Sequence, residues 1–434
     1  MRTIISGLII GVALPGSAAM AQPVTAVTEI ADGRAVAAAV SARLAQDYVV
    51  TDMRARLVAM LDENARAGRY DGLEPQTLAE RITEDMTAVA HDKHLGVRYD
   101  PRRAAMVAAT PEHDDNAPDP AWDRLARRAN HGIRELRMLG GNVRYMAYDS
   151  FMWTGTESAT AIESAMRFLA GGDAAVIDIR QNGGGSPDAV AALASYFMAP
   201  DTDLVSFQMR GQPSGPPSRT HTTALSLVGK PLYVLASDNS ASAAEEFAMH
   251  VSAFEFGTLV GSSTAGAAYR NEFVALPGGH MLSISIGRPV HAKTGGDWEG
   301  KGVAPAIAID PANALDRAQS LAYVALGATA EGPEKSEYAR LGAFYAAKAN
   351  PVKPAMTLAA YAGRYGERTV SLSGDRLTIQ RDGGRLSSLV TIGSDRFAYE
   401  NDPTIQVRFV STGKTVTAME FSRAEGEAET RPRG

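Results

Sequence analysis

The sequence predicts an α/β protein with a helical N-terminal part and a small all-β C-terminal part. Three observations carry this. From about residue 132, short apolar runs rich in β-branched residues alternate with amphipathic runs of helix length, the pattern of a layered α/β architecture. Residues 23–91 are rich in Ala, Leu, Arg and Glu and keep a helical period. From residue 357 the pattern changes to short alternating strands separated by Gly, Asp, Asn and Ser turns, as in a small antiparallel sheet or barrel.

Taken in order, the chain opens with Arg2, an apolar stretch at 4–14 and the small-x-small sequence Ala19-Met20-Ala21. This reads as a signal peptide at 1–21, cleaved near Gln22, and implies a periplasmic or secreted protein. The apolar stretch is short for a transmembrane span and is broken by Gly and Pro, so no stable membrane anchor is expected. Helical periodicity at 36–61 and 78–89 gives a helical domain at 22–100, with Thr77-Leu78-Ala79-Glu80 as a cap signal. Residues 101–131 have little periodicity and read as a linker.

The α/β domain follows at 132–312. Strands are expected at 142–148, 174–179, 204–209, 231–236, 258–260, 272–276 and 281–286, and helices at 157–169, 187–198 and 242–254. A helical connector at 313–355 leads to the β domain at 356–428, and the last dozen polar residues are expected to fray.

The 434 residues allow two or three domains and a sizeable core. A net charge of −6 without a Lys/Arg-rich cluster argues against a nucleic-acid partner. There is no cysteine, so disulfides, thiol nucleophiles and thiolate metal sites are excluded, and the eight histidines become the scarce chemical resource.

Ser242 stands between an apolar strand and a helical run in which Phe247, Val251 and Phe254 share one face. A strand-to-helix turn offers unpaired N–H groups and the positive end of a helix dipole, which stabilise an alkoxide or an oxyanion. The same residues fit a capping box with Glu245, in which the serine only starts the helix. After the strand at 174–179, Gly183, Gly184 and Gly185 let the backbone approach a ligand. The turn suits an oxyanion hole and lacks the Gly-Lys-Ser/Thr ending of a phosphate loop. Asp178 and Arg180 read as structural partners. His91 and His94 flank Asp92 at a helix end, without a convincing third metal ligand. Asp297 and Glu299 lie in a glycine-rich loop at 295–305. No cofactor or metal is expected.

Five ordered segments together resemble peptidase family S41, which includes the C-terminal-processing and tail-specific proteases, the tricorn core and retinoid-binding relatives. They are DKHL at 92–95, VIDIRQNGGGSPD at 176–188, LYVLASDNSASAAEEFA at 232–248, GTLVGSSTAG at 257–266 and WEGKGVAPAI at 298–307. The resemblance implies a ClpP/crotonase-like core, a peptide or protein substrate and Ser242, not Ser240, as the nucleophile. It implies oxyanion donors among the backbone N–H groups of Gly184, Gly185 and Ala243. The lysine that serves as base in the tail-specific branch is replaced by Ala267. The resemblance therefore turns to the branch in which His94 is the base and Glu299 orients it. Lys93 stands where that branch has a bridging serine, leaving Glu299, Asp92 or water to hold the imidazole. The same fold carries apolar ligands without proteolysis in the retinoid-binding relatives, so a non-catalytic binding protein is the alternative expectation.

Overall fold

A computed structural model describes residues 32–109, 120–210, 212 and 214–434, and the expected signal peptide lies outside them. The N-terminal helices are α1 (Gly33–Asp47), α2 (Thr51–Arg66) and α3 (Pro75–Ala90). The helical periodicity expected at 36–61 is divided between α1 and α2 at Tyr48, whose backbone leaves the helical region. The start of α3 is set by Pro75 in the first turn, where its missing N–H costs nothing, so Thr77 lies inside the helix and caps nothing. The helix ends at His91 in the left-handed region, and the chain turns through Asp92–Leu95 into β1 (Gly96–Tyr99). Residues expected as a linker include two helices, α4 (Pro101–Ala109) and α5 (Pro120–Arg128). Both begin with proline, and their short length hides their period in sequence.

The central region runs β2 (Ile133–Met138), β3 (Val143–Tyr148), α6 (Thr156–Ala170), β4 (Ala174–Asp178), α7 (Pro187–Ala194), β5 (Val205–Met209), β6 (Leu232–Ala236) and α8 (Ala243–Phe254). It continues with β7 (Thr258–Gly261), β8 (Arg270–Leu276), β9 (His280–His291) and β10 (Ile307–Ala308). Six strands form one sheet in the order β10-β7-β6-β4-β3-β2, parallel except for β2 at its edge. β4 and β6 are buried along their whole length, as strands covered on both faces must be. One face packs against α6, α7 and α8. The other is covered by α9 (Ala314–Thr329) and α10 (Gly332–Ala349). The segment expected as a connector is therefore a layer of the core. Ala314, Ala318 and Ala322 repeat every four residues and let α9 approach the sheet closely.

A second, antiparallel sheet has β9 at its centre, paired with β1, β5 and β8. The N-terminal helices pack on it: Val36, Val40, Leu44, Leu57, Ile82 and Met86 share a core with Leu276, Leu282 and Ile284. The chain ends in eight antiparallel strands in sequential order, from Gly363–Tyr365 to Glu429–Pro432. A bridge between Tyr365 and Arg433 and the Gly434 N–H to Arg364 carbonyl bond (2.9 Å) close them into a barrel. The polar tail expected to fray is thus the closing strand, held by backbone bonds that leave no apolar signature. Tyr361, Tyr365, Phe397, Phe409 and Phe421 fill the barrel interior.

Because the N-terminal helices and β9 share one core, Leu44→Ala is expected to destabilise the α/β region along with the helices. The expected loss is about 2–5 kcal/mol for a fully buried leucine, read as a lower urea midpoint. A transition in the helices alone, with the central region unmoved, would contradict the shared core.

Candidate active site

β4 and β6 are neighbours in the parallel sheet, so the turns that follow them lie side by side beyond the strands' carboxyl ends. Open α/β sheets form their sites at this edge. Buried Asn182 joins the turns. Its Nδ2 donates to the Tyr148 carbonyl (2.8 Å), its Oδ1 accepts the Gly184 N–H (2.9 Å), and its carbonyl accepts the Ala241 N–H (3.0 Å). Gly184 (φ 109°) touches the serine turn so closely that an added Cβ would lie 2.7 Å from Ser242 Cβ. At Gly185 (φ 146°) it would lie 2.2 Å from the Phe151 carbonyl oxygen.

Ser242 has φ 55° and ψ −121°, a region costly for a residue with a Cβ. It is the strained geometry of a nucleophile elbow, which lifts a side chain out of a strand–turn–helix corner. Ser240 is a different case. Its hydroxyl is buried, donates to the Ile179 carbonyl (2.8 Å) and accepts the Ser237 N–H (3.0 Å), which commits it to the turn. Arg180 and Asp178 pair through two nitrogens, and Tyr145 donates to the same carboxylate, as the structural reading expects.

Glu245 holds the serine turn against the next loop. Its fully buried carboxylate accepts the Ser242 N–H (3.0 Å), the Thr264 hydroxyl (2.6 Å), the Gly266 N–H (2.6 Å) and the Ala267 N–H (2.7 Å). Four donors satisfy a group that would otherwise be costly to bury. The sequence suggested a helix cap here. The structure adds three bonds from residues 264–267, given by the Thr264 hydroxyl and the Gly266 and Ala267 N–H groups.

His94 enters from the antiparallel sheet, two residues before β1. Lys93 Nζ donates to the Ala265 carbonyl, and the Ala265 N–H donates to the Ser240 carbonyl (2.9 Å), which brings the DKHL turn against the serine turn. Buried Asp92 accepts the His94 N–H (2.8 Å) and the Tyr48 hydroxyl (3.1 Å). Burial holds the His94 imidazole below its ordinary pKa, against the opposing charge of Asp92. Its Nδ1 is buried and has no hydrogen-bond partner.

Glu299 follows β9 through a loop. Its Oε2 accepts the Ala268 N–H (2.6 Å) and the Tyr269 N–H (3.2 Å). Burial pushes its carboxyl up to about 7; those two N–H groups oppose the shift, and the Asp92 charge adds to it. That coupling puts Asp92 and Glu299 in one electrostatic cluster.

The Lys93–Ala265 bond and the Glu299 bonds to Ala268 and Tyr269 tie the His94 and Glu299 segments to the loop that Glu245 holds against the serine turn. No hydrogen bond joins His94 to Ser242 or Glu299, and Asp92 holds the His94 backbone, leaving the ring unheld. Among the expected oxyanion donors, the Gly184 N–H is taken by Asn182, while no acceptor among the described residues takes the Gly185 or Ala243 N–H. His91 is exposed at a helix end, and among the described residues no group of three or more His, Asp or Glu is placed to hold a metal ion. Tyr48 was missed in sequence because it is 44 residues from Asp92, with no motif between them.

Residues 142–309 match the sequence model of peptidase family S41. A photosystem II D1 C-terminal processing protease is 16% identical, with a TM-score of 0.42 over 64% of this chain and 93% of its own. A lipoprotein from Streptococcus agalactiae is 16% identical, with a TM-score of 0.47 over 68% and 96%. A putative peptidase from Parabacteroides merdae is 18% identical, with a TM-score of 0.45 over 64% and 90%.

Glu245→Gln puts an amide NH₂ among N–H and O–H donors. It is expected to cost roughly 2–4 kcal/mol by leaving buried donors unpaired, and to slow labelling of Ser242 by a fluorophosphonate. Unchanged urea stability and labelling would show that the carboxylate does not hold the turn.

Proposed function

We propose that this chain is a serine peptidase in which Ser242 attacks a peptide carbonyl and His94 is its base. His94 takes the serine proton and returns it to the leaving amine. The N–H groups of Ala243 and Gly185 receive the oxyanion, and Glu299 supplies the negative charge that steadies the imidazolium. The observation that carries the reading is the strained Ser242 elbow, packed against Gly184 and beside two N–H groups with no acceptor. A serine that only capped the helix would not need this φ and ψ.

The His94 environment supports its role. A base lowered by burial is neutral at neutral pH, so it can accept a proton. The buried, unpartnered Nδ1 calls for an acceptor when the ring becomes charged, and the Glu299 carboxylate is the candidate. A small movement of the DKHL turn or of the Glu299 loop on substrate binding is consistent with a free enzyme, where catalytic bonds are often unmade. The leader pattern at 1–21 makes this an exported enzyme in our reading, with Gln22 as the expected first residue of the mature chain on N-terminal sequencing.

Two outcomes test the mechanism. Ser242→Ala is expected to lower kcat by about 10³-fold or more, and a fluorophosphonate is expected to label Ser242 alone. Undiminished turnover in that variant would end the assignment.

The pH profile tests the acid. A carboxyl raised to about 7 is ionised only above that pH, so kcat/KM is expected to rise through a limb near pH 7. Glu299→Gln should abolish that limb and lower the plateau. The linked effect on stability has the opposite sign. The folded state binds the proton more tightly than the unfolded chain, so this group's contribution is full below the ordinary carboxylate pKa and is lost as pH rises towards 7.

A further inference from the structure

Away from the site, α8 carries a second polar group that the proposed chemistry does not use. His250 lies two turns along the helix from Ser242, and His291 ends β9, from which the Glu299 loop departs. Their rings meet in the core, with His250 Nδ1 3.0 Å from His291 Nε2, and both residues are fully buried. Glu246, one turn before His250, is also buried, with Oε1 3.5 Å from His250 Nε2.

One backbone bond sets the protons. The Thr294 N–H donates to His291 Nδ1 (3.3 Å), which makes that nitrogen an acceptor and leaves the His291 proton on Nε2. Nε2 then donates to His250 Nδ1, and the His250 proton lies on Nε2, facing Glu246. Burial pushes His250 down to about 3 and His291 to about 4, so both rings are neutral, as this single-direction chain requires. Lys293 and His250 add to the lowering of His291, while Asp188, beyond burial, helps raise Glu246 to about 8.

His291 also organises the start of the loop. Its N–H donates to the Gly296 carbonyl (3.0 Å), and its carbonyl accepts the Gly295 N–H (2.8 Å). Asp297, next in line, accepts from Arg288 Nε (2.6 Å) and from the Glu299 N–H (3.1 Å). A continuous set of bonds therefore runs from the body of α8 to Glu299, and Trp298 is buried within it.

We propose that His250 and His291 are positioning residues, whose ring-to-ring hydrogen bond ties the Ser242 helix to the loop that carries Glu299. The parallel sheet supplies the serine and the antiparallel sheet supplies the acid, so a bond between them fixes the register in which the two meet. An apolar pair would fill the same space, but only a directional bond selects one register. The catalytic consequence rests on the reading that Glu299 acts at the site. The mechanical claim does not.

Replacing Trp122 and Trp153 with Phe leaves Trp298 as the sole tryptophan of the three. In that background, His250→Leu is expected to shift Trp298 emission to the red and to lower kcat/KM about 10- to 100-fold through misplacement of Glu299. The limb near pH 7 is expected to move to lower pH as the Glu299 carboxyl gains water. Asp92 and Asp297, the charged neighbours that raise it, and the Ala268 and Tyr269 N–H groups that lower it, are unchanged by the variant. His250→Asn keeps an acceptor near the Nδ1 position and should restore emission and pH profile together. Unmoved emission and profile in His250→Leu, or no recovery in His250→Asn, would overturn the proposal. If His250→Leu does not fold, His291→Gln serves instead. It keeps a donor to His250 but loses the Thr294 acceptor, and it should redden Trp298 emission; an unshifted spectrum would be as damaging. Full activity in Glu299→Gln would instead remove the role of Glu299 while leaving the emission result standing.

Discussion

The Glu245 carboxylate is the interaction on which the geometry around Ser242 depends. A buried negative charge is tolerated only where donors surround it, and here they come from two separate segments: the serine turn and the loop at 264–267. The Thr264 hydroxyl donates to Glu245 and accepts the Val303 N–H (2.7 Å), which extends the network towards the chain beyond Glu299. Satisfying one carboxylate therefore fixes three loops at once. It also offers a physical account of how the turn can hold Ser242 in a strained backbone region, since that strain must be balanced by bonds made elsewhere.

Strain and close approach reinforce each other at this corner. Gly184 must be glycine because its φ is 109° and because Ser242 Cβ fills the space a side chain would need. Asn182 then takes the Gly184 N–H, which moves the proposed oxyanion role to Gly185 and Ala243. The sequence placed the glycine turn correctly but could not say which N–H was spare. That choice depends on how a side-chain amide folds back over its own turn, and many residues with an amide at that position would read the same.

The alternation of strands and helices was legible from 142 to 254 because each buried strand is short, apolar and followed by a clear turn. The layer formed by α9 and α10 was legible as helix but not as core, since alanine gives little hydrophobic signal while still allowing close packing. The closing strand of the barrel was illegible for a related reason: Glu429–Pro432 is mostly exposed and is held by backbone bonds. The helices hidden in 101–131 have fewer than three full turns each, too short for their period to stand out. Near the expected site, Tyr48 had no signal in the sequence because its contact with Asp92 is purely tertiary.

The two sheets divide the proposed chemistry. Ser242 and its N–H groups stand on the parallel sheet, and His94 and Glu299 are carried by strands β1 and β9 of the antiparallel sheet. Groups on one sheet keep their spacing through the backbone ladder. Groups on different sheets keep it only through the contacts between them. Those contacts are the Lys93–Ala265 bond, the Glu299 bonds to Ala268 and Tyr269, and the buried histidine pair. Two of the three end on the segment 265–269, which Glu245 also grips from the other side. In our reading, a shift of this segment moves the base and acid relative to the serine without disturbing either sheet. The unpartnered Nδ1 of His94 lacks an acceptor that our reading assigns to Glu299, on the same antiparallel sheet.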